Sequence, residues 1–418
     1  MAVSDLVAFV DVGSARIKTL VGSFIIDPNN PNRPKLNILG VGVVHSGGIR
    51  KGIILDMEEF KKNLDESLTE AENMAGQQFP HVGICLSGTG IQIHRSSAMI
   101  TIPSAEITQE DVNRVLDMAQ NGITLANQTV LKIIPEHFTV DLENLVKTPV
   151  GMSAKKLEVS AYIFTITTTA LNNVRKGFKD VGIDVVDVSP SLLTSPEAVL
   201  TRRQKELGVV CIDIGSSSTG VTVFEEGALK HAAIIPVGGE YVSSDIALGV
   251  RVSVDLAEKL KTDYVDLTFC DQNKPKDEEI SLARLDKKET ETVSKLYLSQ
   301  IAQARYKEIL SLINRELKLI GKDGMLPEGA IFVGGGSKAR NLIDLAKSEL
   351  RLPCAIGFPE DQDYITGMSV ADPGFSASIG ALIFSQRSGG IGKPRISIGA
   401  GLGGVKESAT RFFKRLFP

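Results

Sequence analysis

The feature that most narrows the fold is a turn that occurs twice. Asp11-Val-Gly-Ser-Ala-Arg-Ile-Lys18 and Asp213-Ile-Gly-Ser-Ser-Ser-Thr-Gly220 each close one apolar strand pattern and open another, 202 residues apart. Each places a carboxylate at the strand end, a glycine two residues later and small hydroxyl residues after it. Such a repeat implies two halves built alike. The chemistry of the turn suits phosphate and magnesium. Glycine lets backbone approach an anion closely, and successive N–H groups in a tight turn form an anion-binding concavity. A carboxylate at the rim can hold Mg2+ through the waters that the ion keeps. One copy alone is an ordinary hairpin turn; two copies, each opening a hairpin, point to phosphate. Gly334-Gly335-Gly336-Ser337, between a strand pattern at Ala330–Val333 and a helix pattern at Lys338–Leu350, adds a third turn. Its glycines leave a flat backbone surface for a ring or a sugar, or simply a tight turn.

The rest of the chain is read around these turns. Leu6–Val10, Ile17–Ile26 and Leu36–Val44 form a strand meander, with a Pro/Asn-rich connection over Asp27–Pro34. Asp56, with Glu59 three residues on, predicts a helix start, and Gly76 its end. Near residues 88–165 the texture changes to short strands around one helix, capped by Thr108 and burying Val112, Val115, Leu116 and Ala119; this reads as a small α+β insertion. The opening pattern then recurs as Gly208–Asp213, Gly220–Phe224 and Leu229–Val237, and Glu289–Ile320 reads as one long helix.

Composition excludes several classes. With 43% apolar and 23% charged residues the chain is neither disordered nor collagen-like. The net charge of −4 gives no basic field for nucleic acid. The four cysteines form no CxxC pair, so neither a disulfide framework nor a zinc ribbon is expected, and a reducing cytosol is the default. No apolar run approaches the roughly 18 residues that span a bilayer, and the first residues lack the basic and apolar regions of a secretory signal. The charge is nevertheless lopsided. From Arg387 to Pro418 seven cations stand against one anion, so an acidic body carries a basic tail. In that tail Val405, Ala409, Phe412, Phe413, Leu416 and Phe417 fall on one helical arc of ~140°. Arg411, Lys414 and Arg415 lie opposite, the pattern of a helix lying in a membrane interface. Gly/Ser/Pro-rich residues 386–404 read as a flexible linker to it.

Two Asp-x-Gly turns with a late GGGS turn resemble the phosphate-1, phosphate-2 and adenosine motifs of the actin-like ATPase superfamily. Within it the chain is similar to the FtsA family of bacterial cell-division proteins. The matching stretches are DVGSARIK, Pro149–Met152 with Leu157 and Glu158, GVVCIDIGSSSTGVTVF, Ile235–Gly239, Ser244–Ala247, Ala257–Lys261, FVGGGSK and the tail, so the likeness covers about residues 5–417. It implies an α/β, actin-like (ribonuclease-H-like) two-domain ATPase fold with an inserted α+β subdomain, 1C, and a C-terminal amphipathic helix. The implied divisions are 1–87 (subdomain 1A, first part), 88–165 (1C), 166–194 (1A, second part), 195–237 (2A, first part), 238–329 (2B), 330–371 (2A, second part), 372–386 (a return helix to 1A), 387–404 (linker) and 405–418 (membrane-targeting helix).

The resemblance also assigns roles. Asp11 and Asp213 would organise Mg2+ through water. Gly13, Ser14 and Lys18 would meet the β- and γ-phosphates of ATP from one side, and Gly215, Ser216, Ser217 and Thr219 from the other. Gly335, Gly336 and Ser337 would back the adenosine, and Glu258 and Lys261 would contact ribose and base, although as residues alone these two read as an exposed helix ion pair. Phe412, Phe413, Leu416, Phe417, Arg411, Lys414 and Arg415 would bind anionic lipid. No catalytic residue is assigned. Relatives place a glutamate before a proline where this chain has Asp187-Val-Ser-Pro190, with Ser189 at that place, so slow or negligible hydrolysis is expected. The implied partners are the C-terminal peptide of the tubulin-like FtsZ on 2B, other copies of the chain in a filament, and further division proteins on 1C. The implied location is the cytoplasmic face of the membrane at the division site. A PilM-like pilus adaptor would share the insertion. A sugar or acid kinase of the superfamily would share the turns, but needs a positioned catalytic carboxylate and gives no reason for the tail.

Overall fold

The computed structural model describes residues 2–3, 6–27, 30–269, 277–359, 365–367 and 370–388. The expected terminal helix, and all but the first two residues of the expected linker, lie outside the described residues.

The first half opens with an antiparallel meander of β1 (Val7–Val12), β2 (Arg16–Asp27) and β3 (Asn30–His45). Every residue of β1 is buried, as a strand covered on both faces requires. The strands run longer than the sequence pattern. Residues 30–34, expected in a connection, are drawn into β3, where Asn30 pairs back with Asp27 of β2 after a shift in register. Helix α1 (Met57–Ala75) follows. The Asp56 carboxylate accepts the Glu58 and Glu59 N–H groups, and Gly76 ends the helix in the left-handed region at φ 69°. Strand β4 (His81–Leu86) then lies parallel to β1.

Four antiparallel strands form the inserted unit: β5 (Ile91–Thr101), β6 (Gln128–Val140), β7 (Asn144–Val146) and β8 (Lys156–Thr167), in the order β7-β6-β8-β5. Helix α2 (Gln109–Asn121) covers one face with Val112, Val115, Leu116 and Ala119. It starts at a capping box in which Thr108 and Asp111 bond each other's backbone. The chain returns through α3 (Thr168–Asp180) to β9 (Asp184–Pro190), which pairs in parallel with β4. The first large sheet therefore reads β9-β4-β1-β2-β3, with Ile365–Gly367 on the far edge.

Helix α4 (Ser191–Val199), buried at every residue, leads by way of α5 (Arg202–Leu207) into the second half. There β10 (Val209–Ile214), β11 (Thr219–Glu225) and β12 (Ala228–Ile235) repeat the meander. Helices α6 (Gly239–Val250), α7 (Val254–Tyr264) and α8 (Lys295–Leu319) pack together beyond it. Strand β13 (Ala330–Val333) adds parallel to β10, followed by α9 (Leu342–Leu350) and β14 (Cys354–Ile356), giving the order β12-β11-β10-β13-β14. The repeat holds to the register. Asp11 pairs with Lys18 across β1 and β2, and Asp213 with Gly220 across β10 and β11. Helix α8 starts at Lys295, six residues later than its pattern, because Thr292–Ser294 pairs with Glu279–Ser281 and Ser294 then caps the helix.

Helix α10 (Ser376–Ser388) comes back from the second half and crosses α4. The crossing is close because of Gly380. A Cβ there would sit 1.8 Å from the Thr194 carbonyl oxygen, so the two helices meet backbone to backbone. Each half keeps its own apolar core, while Cys211, Phe224, Leu229 and Ile331 of the second half join the core of the first.

Candidate nucleotide site between the halves

The two Asp-x-Gly turns come together from opposite halves. Ser14 Oγ lies 2.9 Å from Ser217 Oγ, a hydroxyl pair that joins residues 203 positions apart. Gly13 and Gly215 keep the turns tight. A Cβ on Gly13 would lie 2.7 Å from the Arg16 carbonyl oxygen, and one on Gly215 would lie 3.0 Å from that of Ser218.

Asp11 is buried and accepts a 3.1 Å ion pair from Lys18, whose ammonium also donates to the Gly374 carbonyl at 2.5 Å. Asp213 accepts the Ser195 hydroxyl at 2.7 Å. Burial holds the Asp213 carboxyl above its usual range and the charge of Asp11 pushes the same way, against the Ser195 hydrogen bond and Lys18. Two carboxylates that feel each other in a buried place favour a cation between or beside them. Among the described residues no three His, Cys, Asp or Glu gather into a metal cage. The pair thus fits a hydrated Mg2+ that keeps its waters rather than an ion wholly enclosed by protein.

The hydroxyls divide into two sets. Ser14 and Ser217 meet between the turns, and Ser216 reaches Glu240 at 3.2 Å. Thr219 and Ser337 are fully buried and donate within their own half, to the carbonyls of Val237 and Gly334, both at 2.8 Å. These two brace the turns. The first N–H groups of α6 hold the second turn, Gly239 to the Gly215 carbonyl and Glu240 to that of Ser216, each at 2.9 Å.

The Gly334–Ser337 turn lies against the end of β10. Gly334 has φ 83°, and a Cβ on it would meet Asp213 Oδ1 at 2.4 Å. One on Gly336 would meet Ile214 Cγ2 at 2.3 Å. At Gly335 an added Cβ would meet nothing within 4 Å, so the turn presents bare backbone to open space. The turn is short 3-10 helix over Gly335–Lys338, and α9 starts only at Leu342, after Asn341 in the left-handed region, four residues later than its pattern. Tyr306, fully buried in α8, donates to the Gly336 carbonyl at 2.8 Å and fixes the turn from behind.

Lys261 and Glu258 do form the helix ion pair, at 2.6 Å, yet Lys261 also donates to the Gly239 carbonyl (3.1 Å) and to Ser243 Oγ (2.9 Å). Ser243 in turn donates to Glu258. A Cβ on Gly239 would lie 3.8 Å from Lys261 Nζ and 3.9 Å from Gly336 Cα, so α6, α7 and the glycine turn share one wall. Tyr306, Ser195, Ser243 and Gly374 belong to this constellation and were not marked by the sequence, and Gly239, which closes the stretch Ile235–Gly239, was given no role there. Their contacts span 15 to 356 positions, which no local pattern carries.

On the other flank Ser189, Cys85 and Asp11 sit side by side on β9, β4 and β1. Ser189 is buried and donates to Asp187 Oδ2 at 3.2 Å, while Lys132 of the inserted unit holds Asp187 Oδ1 at 2.8 Å. Burial first, then the charges of Asp11 and Asp187, raise the Cys85 thiol well above its usual range, so it stays protonated.

Two alike halves, each a meander extended by parallel strands and joined by crossing helices around such a cleft, define an actin-like protein with an inserted unit. Known structures agree. The fold matches that of a PilM–PilN type IV pilus biogenesis complex (TM-score 0.64, 14% identity, 90% of this chain and 96% of that one). It also matches MreB5 of Spiroplasma citri bound to ADP (TM-score 0.52, 14% identity, 91% and 96%). The chain belongs to the FtsA family of cell-division proteins. A family model described as "Cell division protein FtsA" matches residues 210–380, and one described as "SHS2 domain inserted in FTSA" matches residues 88–165. The chain is 30% identical to Bacillus subtilis cell division protein FtsA over 390 residues, 93% of this chain and 85% of that one. It is 29% identical to the Escherichia coli protein of the same name over 394 residues, 92% and 91%.

Proposed function

We propose that this protein binds Mg-ATP between its halves, polymerises, and ties FtsZ filaments to the cytoplasmic face of the membrane at the division site. The observation that carries the nucleotide reading is the meeting of the two Asp-x-Gly turns at Ser14 and Ser217, beside the open backbone at Gly335. MreB5, which shares the fold, was solved with ADP and with AMPPNP. Gly13, Ser14, Lys18, Gly215, Ser216 and Ser217 would face the phosphates, with Lys18 exchanging its Gly374 contact for an anion. Asp11 and Asp213 would hold Mg2+, which neutralises phosphate charge when bound. Gly335 and Gly336 would back the adenosine beside Lys261 and Glu258.

Ser189 is a poor base, and the nearest carboxylate, Asp187, is engaged by Lys132. Nucleotide then acts chiefly as a ligand that fixes the halves for assembly. Subdomain 2B, about residues 238–329, takes the FtsZ peptide, and 1C takes further division proteins. No helix among the described residues is long and apolar enough to cross a membrane. Attachment falls to the tail pattern of Phe412, Phe413, Leu416 and Phe417 with Arg411, Lys414 and Arg415. Electron microscopy with ATP and anionic vesicles tests the reading: filaments on the vesicles support it, and bare vesicles beside dispersed protein overturn it.

A further inference from the structure

We propose that Lys51 and Tyr241 form a clasp across the mouth of the cleft that sets how fast nucleotide leaves; the inference rests on the nucleotide reading above. The short hairpin Ile49–Arg50/Ile53–Ile54 of the first half turns at Lys51 and Gly52, both at positive φ (53° and 77°). That is the turn geometry which matches strand twist, so the tip has a defined shape. The tip is seated. A Cβ on Gly52 would lie 2.3 Å from the Ser87 carbonyl oxygen, and the Gly52 N–H donates to Ser14 Oγ at 3.3 Å. The hairpin therefore rests on the same hydroxyl that meets Ser217.

From this tip Lys51 Nζ reaches 5.6 Å from the ring centre of Tyr241, on α6 of the second half. Tyr241 is held in turn. Arg305 of α8 lies 5.8 Å from the same ring, and Asp245 anchors that guanidinium with two bonds, of 2.6 and 3.0 Å. Tyr241 follows directly on Gly239 and Glu240, whose N–H groups hold the second phosphate turn. Each end of the contact is thus one residue from a group bonded to one of the two turns. If the halves separate, the Lys51–Tyr241 contact breaks together with the Ser14–Ser217 pair. A cation against a ring at a half-buried place corresponds to about a two- to fivefold effect on an equilibrium.

The test measures release of the fluorescent analogue mant-ATP, chased with unlabelled ATP, from the full-length protein in Mg2+. Lys51→Ala and Tyr241→Ala should each release it about two- to fivefold faster. Tyr241→Phe, which keeps the ring, should behave as the parent, and the double alanine variant should be no faster than the faster single. Faster release from Lys51→Ala alone would mean that Lys51 acts without Tyr241 and would overturn the clasp. A second readout needs no nucleotide. In the nucleotide-free protein, Tyr241→Ala should speed amide exchange in residues 49–54 and leave β13 unchanged; equal exchange in residues 49–54 would overturn the clasp. Failure of the parent to bind mant-ATP would sink the nucleotide reading, while the exchange comparison would still judge the contact.

Discussion

Gly335 and Gly336 are adjacent, and the structure gives them opposite tasks. Neither has a positive φ, so backbone strain does not separate them; space does. A methyl group on Gly336 would press on Ile214 Cγ2 at 2.3 Å, and on Ile214 Cβ and its carbonyl oxygen at 3.0 Å. Ile214 is fully buried on the central strand β10, so it has nowhere to retreat. Overpacking of this kind costs about 1–3 kcal/mol. At about 2–4 °C per kcal/mol for a domain of 150–250 residues, Gly336→Ala should lower the melting temperature of the second half by about 2–12 °C. Gly335→Leu projects into open space, so its melting temperature should stay within the scatter of surface changes, about 0.5 kcal/mol. It would, however, fill the place proposed for adenosine. Affinity for mant-ATP should fall at least about tenfold, or ~1.4 kcal/mol. Circular-dichroism melts and fluorescence titrations on the two variants read both quantities. A Gly336→Ala protein that melts like the parent would refute the packing argument. A Gly335→Leu protein that binds like the parent would refute the placement of the base.

Asp213→Asn removes a charge that burial and Asp11 disfavour but keeps a partner for Ser195. Its melting temperature without Mg2+ should hold or rise while Mg-dependent ATP binding weakens in titration calorimetry, and unchanged Mg-dependence would exclude Asp213 from the cation site. Phe412→Glu with Phe413→Glu removes two residues that could each contribute roughly 1.5–3 kcal/mol if fully buried in lipid. The variant should stay with the soluble fraction in vesicle flotation and still bind ATP; continued flotation would move the anchor elsewhere. The C-terminal peptide of FtsZ should bind the protein in a fluorescence-anisotropy titration, and no binding up to about 1 mM, the weak end of recognition, would remove 2B as its receptor.

What the sequence carried was mostly local or repeated. The Asp11 and Asp213 turns announced a duplication because the same eight-residue pattern must be met twice, and the register of β1 with β2 and of β10 with β11 reproduces it pair for pair. Thr108 with its helix was legible because a cap and a periodic face lie within a dozen residues. Element ends were less so. The pattern of α8 ran on into Thr292–Ser294, whose strand pairing is set by residues 279–281, and Asn341 in the left-handed region delayed α9. The wall around Gly336 was hidden for the same reason. Tyr306 looked like one more core residue of a long helix, and nothing in its neighbours tells that its hydroxyl ends on a carbonyl 30 positions away. Lys51 and Tyr241 carry no motif at all, and only the closure of two halves brings them together.

The most direct test of the central claim is a structure of the full chain with Mg2+ and a non-hydrolysable ATP analogue. Density for the phosphates between Ser14 and Ser217, a hydrated ion beside Asp11 and Asp213, and a base against Gly335 is the result predicted here. Nucleotide bound elsewhere, or a cleft left without it at saturating analogue, would contradict the account.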